Sequence, residues 1–221
     1  MGDSPGPIPR YSRAMTLDDR LAALDELWSV WAAIGANLTD AEWHCDTRLD
    51  GWDVRALWAH AAGWPFGFSM LVGRVTDDKP THPVAADLLR EFNEPGGIAN
   101  SSRDQVAAAA RDDAAKYTIE QLVGQFAGTG PEAITAARYL GPVTVDYFGR
   151  AVLPLAEAVS IGVVEATVHL LDVQRALGRT PDVPEAGLAH TAEVIAQIAS
   201  PIDFIEAATG RASTDLFPVM S

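Results

Sequence analysis

Lysine is nearly absent from this 221-residue chain: Lys79 and Lys116 are the only two among 16 basic residues, set against 30 acidic ones. A formal charge of −14 with so few cations argues against grip on a phosphate backbone, so no nucleic-acid partner is expected. Cysteine is scarcer still. Cys45 alone excludes an internal disulfide, and any metal site must be built mainly from histidine and carboxylate. No run of about 20 residues is free of charge, so no membrane span is expected. The start, "MGDSPGPIPRYSR", lacks the basic residues and apolar run of a secretory signal. The compartment expected from these absences is the cytoplasm. Strand-like alternation of useful length is missing too, and so are internal repeats.

What the chain does have is helical periodicity. An apolar content of 48% suffices for a real core. Thr16 reads as an N-cap with Asp19 three positions on, and Leu17, Leu21, Leu24, Trp28 and Trp31 follow at three- and four-residue spacing. That predicts a helix over 17–37. Asp53 caps a second helix in "GWDVRALWAHAAGW", with Trp52 placed to pack on Leu57; Trp64-Pro65 marks an end or kink, or the helix continues into "FGFSMLVGRV". A shorter helix follows in "HPVAADLLREFN", then a long one from "SRDQVAAAARDDAAKY" into "TIEQLVGQFAG". The segment 130–154 is the least legible. The last two helices read as 155–177, closed by Gly178, and "EAGLAHTAEVIAQIA". The expectation is an all-α protein, a four-helix bundle with a short helical C-terminal extension. Its parts would be a flexible leader over 1–14, the bundle over 15–180, and a helix and tail over 181–221 packing on it.

One helix raises a chemical question. "VSIGVVEATVHLLDVQRALG", Val159 to Gly178, is apolar almost all round, yet Glu165, His169 and Asp172 interrupt it within an arc of about 60°. A carboxylate and an imidazole taken out of water must be paired or bound to an ion. Glu165 and His169, one turn apart, are either a hydrogen-bonded core pair or groove-facing stripe, or two ligands of one metal. Of the five histidines, His60 is the one inside a well-capped helix on an apolar face, three after Leu57. His60, Glu165 and His169 together would offer two nitrogens and one oxygen and leave a fourth position open, the pattern of catalytic zinc.

Two motifs carry a resemblance. "LDGWDVRALWAHAAGW" is similar to the Gly-Trp-x-Val-Arg-x-Leu-x-x-His segment of the DinB-like superfamily, and "EATVHLLDVQRALG" to its Glu-x-x-x-His-x-x-Asp-x-x-x-x-Leu-Gly helix. The branch they most resemble is the mycothiol-dependent maleylpyruvate isomerase N-terminal domain; "FIEAATGRASTDLFPV" is similar to an ending met there. The resemblance implies a four-helix bundle with a divalent metal, typically zinc, on His60, Glu165 and His169. The open position would take mycothiol, a low-molecular-weight thiol, as cosubstrate. Maleylpyruvate isomerases carry a sizeable second domain after the bundle, whereas some 40 residues follow Gly178 here. The implied activity is therefore thiol transfer or thiol-assisted isomerisation on a small electrophile, not maleylpyruvate chemistry specifically.

Supporting roles are expected at three more positions. Asp172, one turn beyond His169, is placed either to orient a histidine N–H or to serve as a helix C-terminal charge. Arg55 would contact an acidic substrate or mycothiol, or pair with a carboxylate. Arg211, in the Gly-Arg tail, would close over a bound cosubstrate or form a surface pair. Cys45 beside His44 gives a weak thiol–imidazole reading, since sequence neighbours need not face each other. His82 and His190 read as surface or packing residues, and the tryptophans as core. Rival functions are a metal-dependent hydrolase that activates water and a non-enzymatic metal-binding protein, in either case a monomer or homodimer.

Overall fold

The computed structural model describes residues 14–212, 215–216 and 218–220, so the leader expected over 1–14 lies, apart from Ala14, outside the described residues. Helix α1 spans Leu17–Gly35 and starts where Thr16 and Asp19 close a reciprocal capping box. A one-turn helix, α2 (Asp40–Trp43), is capped the same way by Thr39 and Glu42. Helix α3 covers Val54–Leu71, with the Asp53 side chain accepting from the Ala56 N–H. It does not stop at Trp64-Pro65. Pro65 lies inside it and removes one backbone donor, at a position packed well enough to keep the helix continuous.

Then come α4 (Ala85–Asn93), the short α5 (Ile98–Ser101) within a stretch that reads as loop, and α6 (Arg103–Lys116). Thr118 starts a new helix, α7 (Ile119–Gly124), which passes through a π-helical turn at Gln125–Thr129 into α8 (Gly130–Leu140). Helix α9 (Leu155–Ala176) runs almost unbroken through the core, followed by α10 (Glu185–Ile198) and α11 (Pro201–Ala208).

The protein is mostly helical, but not wholly so. Strands β1 (Val75–Thr76), β2 (Thr144–Tyr147) and β3 (Ala151–Pro154) form an antiparallel sheet in the order β1-β2-β3, with Val145 opposite both Val75 and Leu153. These strands are two to four residues long. That is too short for a period of two to show in sequence, so the absence of strand alternation does not exclude them. The sheet fills the segment that is least legible as helix.

Tryptophan sets the core. Trp28, Trp31, Trp43 and Trp58 are fully buried, and Trp31 stacks on Phe126 at 5.0 Å while meeting Trp58 edge-on. The Trp31 indole N–H donates to the Ala166 carbonyl at 3.0 Å, which fixes α1 against α9 beside Glu165. Helix α10 packs on α9 and α1; a Cβ at Gly187 would stand 2.8 Å from a Leu27 methyl, so any larger residue there would force Leu27 to move. Helix α11 buries none of its residues.

Candidate metal centre

His60 and the Glu165–His169 pair arrive from two helices that face each other. The Asp53 cap starts α3 in a register that points His60 at α9, and α9 presents Glu165 and His169 one turn apart. One nitrogen from each histidine and one Glu165 oxygen all lie within 4.8 Å of one another. Among the described residues, this is the one such cluster of histidine, cysteine or carboxylate ligand atoms. The Glu165 Oε2–His169 Nε2 separation is 3.4 Å, about the edge of a tetrahedral zinc site with ligands near 2.1 Å.

The hydrogen bonds assign a part to each nitrogen. Asp172 Oδ2 lies 3.1 Å from His169 Nδ1, so an Nδ1–H donates to the carboxylate and Nε2 is left facing Glu165. Asp172 is nearly buried, and its other oxygen accepts from Arg48 Nε at 2.5 Å. His60 is different: among the described residues neither ring nitrogen has a hydrogen-bond partner. Its ring meets His169 edge-on at 5.2 Å and Trp52 edge-on at 5.4 Å.

Charge follows from these contacts. Burial, with repulsion from His169, holds the His60 pKa down at about 4, so it is neutral with a lone pair free for an ion. Burial opposes charge on His169 as well, but the Asp172 and Glu165 carboxylates outweigh it and raise its pKa to about 9. Glu165 and Asp172 are each pushed up by burial, yet their bonds to His169, and for Asp172 to Arg48, leave both below the usual carboxylate range. A half-buried, neutral imidazole with no hydrogen-bond partner, set beside a carboxylate and a second imidazole, is a donor set that fits a divalent ion.

The sequence profile of the mycothiol maleylpyruvate isomerase N-terminal domain matches residues 24–174. The chain belongs to that family. The match runs from α1 through all three clustered residues to Gln174. No curated protein and no solved structure matches the chain.

The site of this family member also draws on residues that the sequence did not mark. Arg48, from the loop "HCDTRLDG", reaches Asp172 across 124 positions of chain. Trp52, expected to pack on Leu57, packs against the core and also meets the His60 ring edge-on. Tyr147, from β2, is buried, and the Glu165 charge adds to that burial in raising its pKa above the usual phenol range. No spacing rule connects a loop arginine or a strand tyrosine to one face of a helix in another element, so periodicity carried no signal for them.

Two expected residues are engaged elsewhere. Arg55 donates to the Tyr117 carbonyl at 3.2 Å, at the α6–α7 junction. Arg211 is exposed and donates to the Thr209 carbonyl at the end of α11. Of the remaining histidines, His44 lies 3.4 Å from Asp53 while the Cys45 thiol points at the Ala41 carbonyl, so no thiol–imidazole pair forms. His82 pairs with Glu91. His190 is a buried packing residue bonded to Ser160.

Proposed function

We propose that this protein is a metal-dependent thiol transferase or thiol-assisted isomerase built on a DinB-type four-helix bundle, with α1, α3, the α7–α8 segment and α9 as its walls. The ion, zinc by the character of two imidazoles and one carboxylate, is held by His60, Glu165 and His169. The observation that carries this reading is the convergence of three ligand atoms on which one imidazole is neutral and otherwise unpartnered.

Bound there, the ion supplies one thing: a coordinated thiol loses its proton and is a thiolate nucleophile at neutral pH. The family's association with mycothiol makes that thiol the natural cosubstrate. The chain's own residues do the rest. Asp172 fixes the His169 tautomer and ring plane, and Arg48 holds Asp172 in turn. Trp52 closes the His60 side. Three protein ligands leave a position for the thiol, which a closed structural site with four would not.

The deciding experiment is elemental analysis of protein purified without an affinity metal, beside His60→Ala. About one zinc per chain, lost in the variant, is expected. Metal retained in His60→Ala sinks the ligand assignment. The same open position would serve water in a hydrolase, and turnover that does not require mycothiol would move the assignment there.

A further inference from the structure

A cleft of about 770 Å³ lies between the segment that runs from the end of α4 to the start of α6 and the β2–β3 turn. None of the three candidate metal residues lines it. Both walls are pinned by local bonds. On one side the Gly97 N–H donates to the Glu94 carbonyl at 2.7 Å, and Asn100 Nδ2 donates to the Asn93 and Glu94 carbonyls. A Cβ on Gly97 would stand 2.4 Å from the Phe92 carbonyl oxygen, so this wall has no room to tighten further. On the other side Asp146 Oδ1 accepts from the Gly149 N–H at 2.6 Å, and the Arg150 N–H donates to the Tyr147 carbonyl at 3.0 Å. A ligand entering here meets backbone that is already ordered.

The polar groups on these walls are unevenly engaged. Glu91 is taken by His82, whose Nε2 lies 2.8 Å from its Oε2. The side chains of Glu94, Ser101, Ser102 and Arg150 line the same cleft and have no hydrogen-bond or ion-pair partner among the described residues. Glu94 and Arg150 carry opposite charges on opposite walls, yet they do not pair with each other. The cleft therefore presents a free acceptor for a cation, a free donor fork for a carboxylate, and two free hydroxyls.

A ligand of one charge fits poorly. An anion would face Glu91, Glu94 and a chain of net charge −14, and a cation would leave Arg150 unused. A molecule with an ammonium at one end and a carboxylate at the other is neutral overall and engages both walls. The volume exceeds what one amino acid needs and lies in the range of small-molecule sites. We infer that this cleft binds a peptide of two or three residues with both ends free. Its carboxylate lies on Arg150, its ammonium on Glu94, and its amides against the serine hydroxyls. The inference is independent of the metal reading above.

The test is a titration of the full chain, labelled with nitrogen-15, with trialanine. Amide shifts should map to residues 94–102 and 149–151 and give a Kd of about 0.1–1 mM. N-acetyl-trialanine and trialanine amide should each bind about fivefold more weakly, a modest factor because charges in an open cleft are screened. Glu94→Gln and Arg150→Gln should weaken trialanine to the same extent; both positions are exposed, so the fold is kept. In Arg150→Gln, blocking the carboxylate should have no further effect, which pairs that residue with that end of the peptide. No shifts at millimolar trialanine, or shifts elsewhere in the chain, overturn the site. Equal binding of the blocked peptides overturns recognition of the two ends. Free alanine binding as tightly as trialanine overturns the peptide.

Discussion

Near the start of α9, Ser160 meets His190 and Arg20, and Arg20 pairs with Glu157; further along the same helix, Glu165 and His169 meet His60. Each is built around a histidine, and each contains an imidazole nitrogen with no hydrogen-bond partner among the described residues: His190 Nδ1, which has Glu193 Oε2 at 4.0 Å, and the ligand-facing side of the half-buried His60. An orphan nitrogen is therefore not what distinguishes them. In the Ser160 cluster the cation is internal: Arg20 donates to Glu157, to Ser160 and to the Ala156 carbonyl, and His190 Nε2 sits 2.8 Å from Ser160 Oγ. Burial, with the Arg20 charge, pushes the His190 pKa down to about 4. In the other cluster two carboxylates face His169 and push it up to about 9. One site holds a permanent cation, Arg20, and the other an exchangeable one, the proton on His169.

Substitution at each histidine breaks the comparison most directly. His169→Ala should abolish stoichiometric metal, whereas His190→Gln should keep about one ion per chain. Equal loss in both would mean that metal content follows global stability and not ligation. A smaller effect separates the supports of His169. Asp172→Asn should weaken metal affinity about 10–100-fold in a competition titration, as loss of a histidine's carboxylate partner generally does. Arg48→Ala should weaken it only a few-fold, because Arg48 is more than half exposed and its pair with Asp172 is screened.

The pH dependence of the metal-free protein sharpens the contrast, since the two histidines carry opposite signs. His190 has a folded pKa of about 4 against an ordinary 6.5. Its contribution is complete above pH 6.5 and is lost as pH falls towards 4, by about 2 kcal/mol at pH 4.5. His169, raised to about 9, contributes fully below pH 6.5 and loses that contribution as pH rises through 9. Urea titrations at pH 4.5, 7 and 9.5 should therefore show the acid loss shrinking in His190→Gln while the alkaline loss persists.

Much of this was legible in advance, and the reasons are local. The Thr16–Asp19 box and the Asp53 cap are interactions within one turn, so their residues announce helix starts directly. Glu165, His169 and Asp172 share one helix, where a fixed 3.6-residue turn converts spacing into geometry. The strands were not legible, because two to four residues give no period. At Pro65 the sequence left an end, a kink or a continuing helix open, and packing decides for continuity.

The sequence by itself determined that α9 carries an inward polar arc, that His60 sits on a capped helix's apolar face, and that both belong to a recognisable pair of motifs. Those properties follow from backbone geometry repeated every turn. Only the tertiary structure decided which groups complete the arc: Arg48 from a loop, Trp52 against His60, and Tyr147 from a strand beside Glu165. It also directed Arg55 to the Tyr117 carbonyl and Arg211 to the end of its own helix. Contacts between distant segments depend on how whole helices and turns pack, and no spacing along the chain encodes that distance.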